Sequence, residues 1–75
     1  MFSRNIFSDR LKILRKAKRL KQSDLAAHLT ITDDTISSIE TGRRSPSVEV
    51  LVDLADFFGV SLDYLVGRSD DPERH

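Results

Sequence analysis

Side chains able to hold an anion are crowded into one end of this chain. Residues 1–22 carry eight bases, Arg4, Arg10, Lys12, Arg15, Lys16, Lys18, Arg19 and Lys21, against a single acid, Asp9. Residues 23–42 carry Asp24, Asp33, Asp34 and Glu40 and no base. Arg43 and Arg44 follow as a pair, and residues 45–75 hold seven acids against Arg68 and Arg74. The 75 residues have a formal net charge of zero and are nevertheless a dipole in sequence. A basic end of this kind can face a polyanion while the acidic end faces away. A solvated basic helix without a partner accounts for the same charges. Bond-making chemistry has less to work with. There is no Gly-x-Ser-x-Gly elbow, no phosphate-cradling glycine loop and no paired-histidine metal spacing. His28 and His75 are isolated, and the adjacent aspartates at 33/34 and 70/71 read as solvated faces rather than an acid–base pair. With no cysteine, neither a disulfide framework nor a thiolate zinc site can form. The expectation is a chain that is not an enzyme and takes no metal, cofactor or small-molecule ligand.

The segment QSDLAAHLTITDDTISSIE, residues 22–40, supplies the elements that would position these groups. It reads as two short helices joined by a tight turn. Leu25, Ala26 and Leu29 share one face of the first, Ile36 and Ile39 one face of the second, and Ile31 plugs the turn. Ala26 is small where two steeply crossing backbones must approach. This is the pattern of a helix-turn-helix, whose second helix enters the DNA major groove. Around it, a helix is predicted to start at a Ser8 cap with Asp9 in its first turn, burying Phe7, Leu11 and Leu14 and leaving Ile13 outside. Thr32 would cap the third helix and Gly42 end it; residues 41–47 form a loop from which two arginines project. Ser47 would cap a fourth helix with an inward stripe of Val48, Leu51, Leu54, Ala55 and Phe58, ended by Gly59; Ser61 would cap a short fifth over 62–66. The organisation expected is an N-terminal arm (1–7), one all-α domain of five helices (8–67) and a flexible polar tail (68–75).

Four stretches resemble one known family in order and spacing: RLKILR at 10–15, Gln22 followed by LAAHL, the run from Thr35 to Ser47, and LADFFGVSLDYLVG at 54–67. The chain is similar to the phage-repressor and Cro-type (XRE-family) helix-turn-helix domains over most of its length. The resemblance implies a compact lambda-repressor-like bundle and a sequence-specific transcriptional regulator, a repressor by kind, that inserts helix 33–40 into the major groove of double-stranded DNA as a dimer. It implies phosphate contacts for Arg10, Gln22, Arg43 and Arg44. It implies a structural ion pair between Arg15 and Glu40, a further phosphate contact being the other use of Arg15. Base reading would fall to Thr32, Asp33, Asp34, Ser37 and Ser38, and homodimer pairing to a surplus of apolar residues, Phe57, Tyr64 and Val66.

The sequence departs from the family pattern in four places. Two acids and two serines stand where Gln, Arg, Lys or Asn often read bases; aspartate can accept from cytosine N4, and it can equally complement the dipole of a helix first turn. A protein-interaction module of the same fold, an antitoxin-like or anti-repressor partner using the acidic third helix, is the alternative these residues favour. Thr30 replaces a turn glycine and Arg19 a helix-ending glycine, while Lys21 replaces a hydroxyl cap. No segment approaches membrane-spanning length and the N-terminus lacks the apolar run of a signal peptide, so a soluble cytoplasmic domain is expected. The Met1 start argues against a domain excised from a longer chain, a C-terminal truncation being left open.

Overall fold

The computed structural model describes residues 4–73. Its helices are α1 (Arg4–Ala17), α2 (Gln22–Leu29), α3 (Asp33–Glu40), α4 (Val48–Phe58) and α5 (Leu62–Leu65), with no strand among the described residues. They close around one core of Phe7, Leu11, Leu25, Ala26, Ile36, Ile39, Leu54, Ala55 and Leu65. Every helix contributes to it, which is how five short elements hold together when none would be stable alone. Buried Val60, in the turn between α4 and α5, joins the core and was not singled out by sequence pattern.

The helix starts follow the side chains that can accept a backbone N–H. Thr32 Oγ1 accepts from Thr35 N (3.2 Å), Ser47 Oγ from Val50 N (3.2 Å) and Ser61 Oγ from Tyr64 N (3.0 Å). At the start of α2, Lys21 has no acceptor to offer; instead its own N–H donates to Asp24 Oδ2 (3.0 Å). Two helix ends need a left-handed residue and lack glycine: Arg19 stands at φ 56° and Thr30 at φ 58°. At Thr30 the chain reverses so that Ile31 N–H reaches Ala26 O (3.0 Å), closing the end of α2 and dropping Ile31 onto the core.

Four expectations need correction. Ser8 is no cap: α1 already runs at Arg4, so residues 4–7 are helix rather than arm and Asp9 lies beyond the first turn. Ser8 is buried, and its hydroxyl donates to Ile39 O (2.6 Å), fastening α1 to the last turn of α3. Val48 points outward, 75% exposed, because the inward stripe of α4 begins with Val50 and Leu51. The segment expected as a free tail folds back: Ser61 N–H donates to Pro72 O (3.0 Å), and Arg68 and Ser69 N–H both reach Asp63 O. Residues 1–3 of the expected arm and 74–75 of the expected tail, His75 among them, lie outside the described residues.

A β-branched side chain in the left-handed region costs ~1–2 kcal/mol, part of which glycine returns through its freer unfolded chain. Thr30→Gly is therefore expected to raise the thermal midpoint by a few degrees. A lower midpoint in a melting curve followed by circular dichroism would show that Thr30 makes a compensating contact.

Candidate nucleic-acid interface

Glu40, the last residue of α3, is 2% exposed, and a carboxylate buried there needs hydrogen-bonding partners. Arg15 of α1 supplies two: Nε donates to Oε2 (2.7 Å) and Nη2 to Oε1 (3.0 Å), a planar fork on a planar carboxylate. The remaining terminal nitrogen, Nη1, donates to Leu20 O (2.7 Å) and so pins the turn between α1 and α2. Gln22, the first residue of α2, adds a third bond to the same carboxylate, Nε2 to Oε1 (3.1 Å). One buried acid thus fixes α1, the start of α2 and the end of α3 relative to one another. Gln22 keeps its second amide N–H and its carbonyl oxygen for a partner, next to the first-turn backbone N–H groups of α2.

The outer face of α3 carries Asp34, Ser37, Ser38 and Thr41 at helical spacing, with Asp33 beside them. Asp33 and Asp34 are exposed in the first turn and take part in no ion pair among the described residues. Arg43 and Arg44 lie along this face. Their backbone N–H groups both donate to Ser38 O (3.0 and 3.2 Å), which ends α3 and turns the loop back on itself. The Arg43 side chain reaches Thr41 Oγ1 (3.3 Å) and Ser38 Oγ (3.4 Å), and Arg44 reaches Thr35 Oγ1 (3.4 Å). These contacts are long and exposed, so both guanidiniums can exchange them for phosphate oxygens at little cost.

The sequence-derived set is therefore divided. Gln22, Thr32, Asp33, Asp34, Ser37, Ser38, Arg43 and Arg44 belong to α3, the loop after it and the adjoining start of α2. Arg10 is elsewhere. Its guanidinium lies over the Tyr64 ring (4.3 Å) and donates to Tyr64 O, to Ser69 O (2.5 Å) and to Asp70 Oδ1 (2.7 Å). It is a clasp between α1, α5 and the returning C-terminal segment, with three of its five N–H donors engaged there. The aromatic surplus is likewise occupied. Phe57 is half-buried between His28 (centroids 5.0 Å apart) and Phe58 (5.0 Å, edge-on), Tyr64 is half-buried under Arg10, and Val66 is half-buried. The large apolar residues left exposed are Ile6, Ile13, Val48, Val52 and Leu62. Sequence reading passed over Thr35, whose hydroxyl lies 2.8 Å from Thr32 Oγ1 and also meets Arg44. Its place three residues after a capping threonine is the signal that identifies it.

A helix locked by a buried salt bridge, preceded by a tight turn and an equally short partner helix, with a polar outer face beside two loop arginines, defines a helix-turn-helix domain. A family model described as helix-turn-helix matches residues 11–65. An HTH-type transcriptional regulator of Bacillus subtilis, YqaE, is 39% identical over 88% of this chain and 58% of its own length. An HTH-type transcriptional regulator of Methanocaldococcus jannaschii is 36% identical over 84% of this chain and 96% of its own. The crystal structure of the P22 c2 repressor in complex with a synthetic operator superposes with a TM-score of 0.79 at 25% identity, covering 85% of this chain and 97% of that one. The chain belongs to the phage-repressor and Cro-type helix-turn-helix family. It spans 58% and 61% of the lengths of two Bacillus subtilis relatives that it matches.

Removing one partner from a buried, hydrogen-bonded charge pair costs ~3–5 kcal/mol, because the other charge stays buried. Arg15→Ala is expected to destabilise the domain on that scale in urea denaturation. Gln22→Ala, which leaves both charges paired, is expected to cost about 1 kcal/mol. Equal losses from the two variants would contradict the assignment of Arg15 as the principal partner.

Proposed function

We propose that this chain is a DNA-binding transcriptional regulator of the repressor kind, acting in the cytoplasm as a homodimer that lays α3 (33–40) in the major groove. The observation that carries this reading is the grouping of Gln22, Arg43 and Arg44 around the exposed face of α3, on a scaffold fixed by Glu40. Gln22 meets one phosphate through its free amide N–H, supported by the uncapped first turn of α2, where backbone N–H groups and the helix dipole favour an anion. Arg43 and Arg44 meet phosphates on leaving Ser38, Thr41 and Thr35. Arg10, an expected phosphate contact, is dropped from this set because its donors close the α1–α5 clasp. Base edges fall to Thr32, Asp33, Asp34, Ser37 and Ser38. Aspartates and short hydroxyls offer few strong contacts, so DNA shape carries part of the specificity. The P22 c2 repressor, whose structure holds an operator, supports the mode of binding. Pairing of two copies through the α4–α5 end would set two recognition helices about 34 Å apart on a pseudo-palindrome. Phe57, Tyr64 and Val66 would contribute half-buried edges to it.

One observation favours a second reading. Asp33 and Asp34 are solvent-exposed and without ion-pair partners among the described residues, at the leading end of α3, where phosphates would repel them. A protein-interaction module that presents these acids to a basic partner uses the same scaffold.

The two are separated by titrating labelled genomic fragments at two salt concentrations. The DNA reading expects affinity that falls steeply with salt, and expects Arg43→Ala/Arg44→Ala to flatten the log–log slope by about 2. Binding that is absent or indifferent to salt would reject it. Asp33→Asn/Asp34→Asn tests the acids in the same assay. Altered sequence preference marks them as base readers, whereas a gain on all fragments marks them as a brake on DNA binding.

A further inference from the structure

The turn between α1 and α2 breaks two local rules at once. Arg19 holds the left-handed backbone at φ 56°, where glycine is unstrained. Lys21 stands just before α2, and its side chain makes no capping hydrogen bond. In both places a cation replaces the residue type that would stabilise the turn. Both cations are exposed, and neither takes part in an ion pair among the described residues. Leu20 between them is half-buried, and its carbonyl accepts from Arg15 Nη1 (2.7 Å), so the turn is tied to the Glu40 lock. Lys21 immediately precedes Gln22, whose amide donates to the same Glu40 carboxylate (3.1 Å). The third base of the turn is placed differently: the Lys18 ammonium lies over the Phe57 ring of α4, 5.8 Å from its centroid.

We propose that Arg19 and Lys21 are a second phosphate-binding pair, extending the contact of Gln22 along the same DNA strand. The proposal rests on the DNA reading and adds to it two residues outside the set of Gln22, Arg43 and Arg44. Leu20 turns inward, so the side chains on either side of it are both left to solvent. Their long stems bring two charges within reach of neighbouring phosphates. An exposed cation with no internal partner gives up no protein contact on binding a phosphate, and it releases a counterion from the duplex. The two broken rules then have a common cause. Each costs folding stability that glycine or serine would return, and each fixes a charge beside the residue that the DNA reading sets on a phosphate. Lys18, drawn over Phe57, lies outside the pair.

Arg19→Gly/Lys21→Ser installs the locally favoured residues and removes only these two charges. The variant is expected to melt a few degrees above the parent chain when followed by circular dichroism. Titrated with a duplex from binding-site selection at several salt concentrations, it is expected to bind about tenfold more weakly at low salt. Its log–log salt slope should be flatter by about 2 for each bound chain, and that of Lys21→Ser alone by about 1. Lys18→Gln removes a charge from the same turn and is expected to leave the slope nearly unchanged. Ethylation interference should show, for the parent chain and not for the double variant, contacts at phosphates beside the one that Gln22→Ala loses. A slope unmoved in the double variant, or one that Lys18→Gln flattens as much as Lys21→Ser, would overturn the proposal and leave the DNA reading in place. A parent chain that binds no duplex would overturn both.

Discussion

A carboxylate buried at the end of α3 is the constraint from which the rest of this structure follows. Glu40 has to be paired where it lies, and the groups that satisfy it come from different parts of the chain: Arg15 from α1 and Gln22 from the start of α2. Each bond made to neutralise Glu40 also orients something. Arg15 uses its third nitrogen to hold the carbonyl of Leu20, and Gln22 is held against the same carboxylate by one amide N–H. Ser8 adds a second tie between α1 and the same end of α3. The outer face of α3 is thus presented by a helix fixed at its C-terminal end, while its N-terminal turn is left to capping by Thr32 and to solvent.

Charges that tie the scaffold together and charges left open to a partner are separated by where each lies. The half-buried guanidiniums, Arg15 and Arg10, each give three N–H donors to carboxylate and carbonyl oxygens. Exposed ones, Arg43 and Arg44, make only long contacts to hydroxyls. A free energy of folding of a few kcal/mol can tolerate changes in the second group and not in the first. The left-handed Arg19 and Thr30 belong to the same balance. They tax two turns that set the angles of α1, α2 and α3, and the common core absorbs the cost.

Periodicity alone exposes the five helices, since Leu25, Ala26, Ile36, Ile39, Leu54 and Ala55 are buried at the spacing their helices demand. Turn chemistry is legible too: the strained positions at 19 and 30 follow from missing glycines. What escaped the sequence depends on contacts far apart in the chain. Ser8 resembles a cap because serine before a charged residue favours helix starts, and only the approach of Ile39, 31 residues away, shows it as a tertiary donor. Arg10 has the composition of a phosphate ligand. Its commitment to Tyr64, Ser69 and Asp70 depends on the C-terminal segment turning back, which a polar run with a proline does not announce. Val48 occupies a plausible inward position, and a small rotation of the α4 stripe puts it outside. Among candidate site residues, those near α3 lie where local spacing puts them, whereas the contacts of Arg10 were not legible because its neighbours are distant in sequence.

The central claim is that one surface, the outer face of α3 with Gln22 and the loop arginines, meets DNA while the α1–α5 clasp does not. Backbone amide chemical-shift mapping of the isotope-labelled chain, titrated with a duplex recovered by binding-site selection, tests it most directly. The account expects the largest shifts at Gln22, along α3 and at Arg43 and Arg44, with Arg10, Tyr64 and Asp70 little changed. Shifts centred on Arg10 and Tyr64, or none on α3, would contradict it.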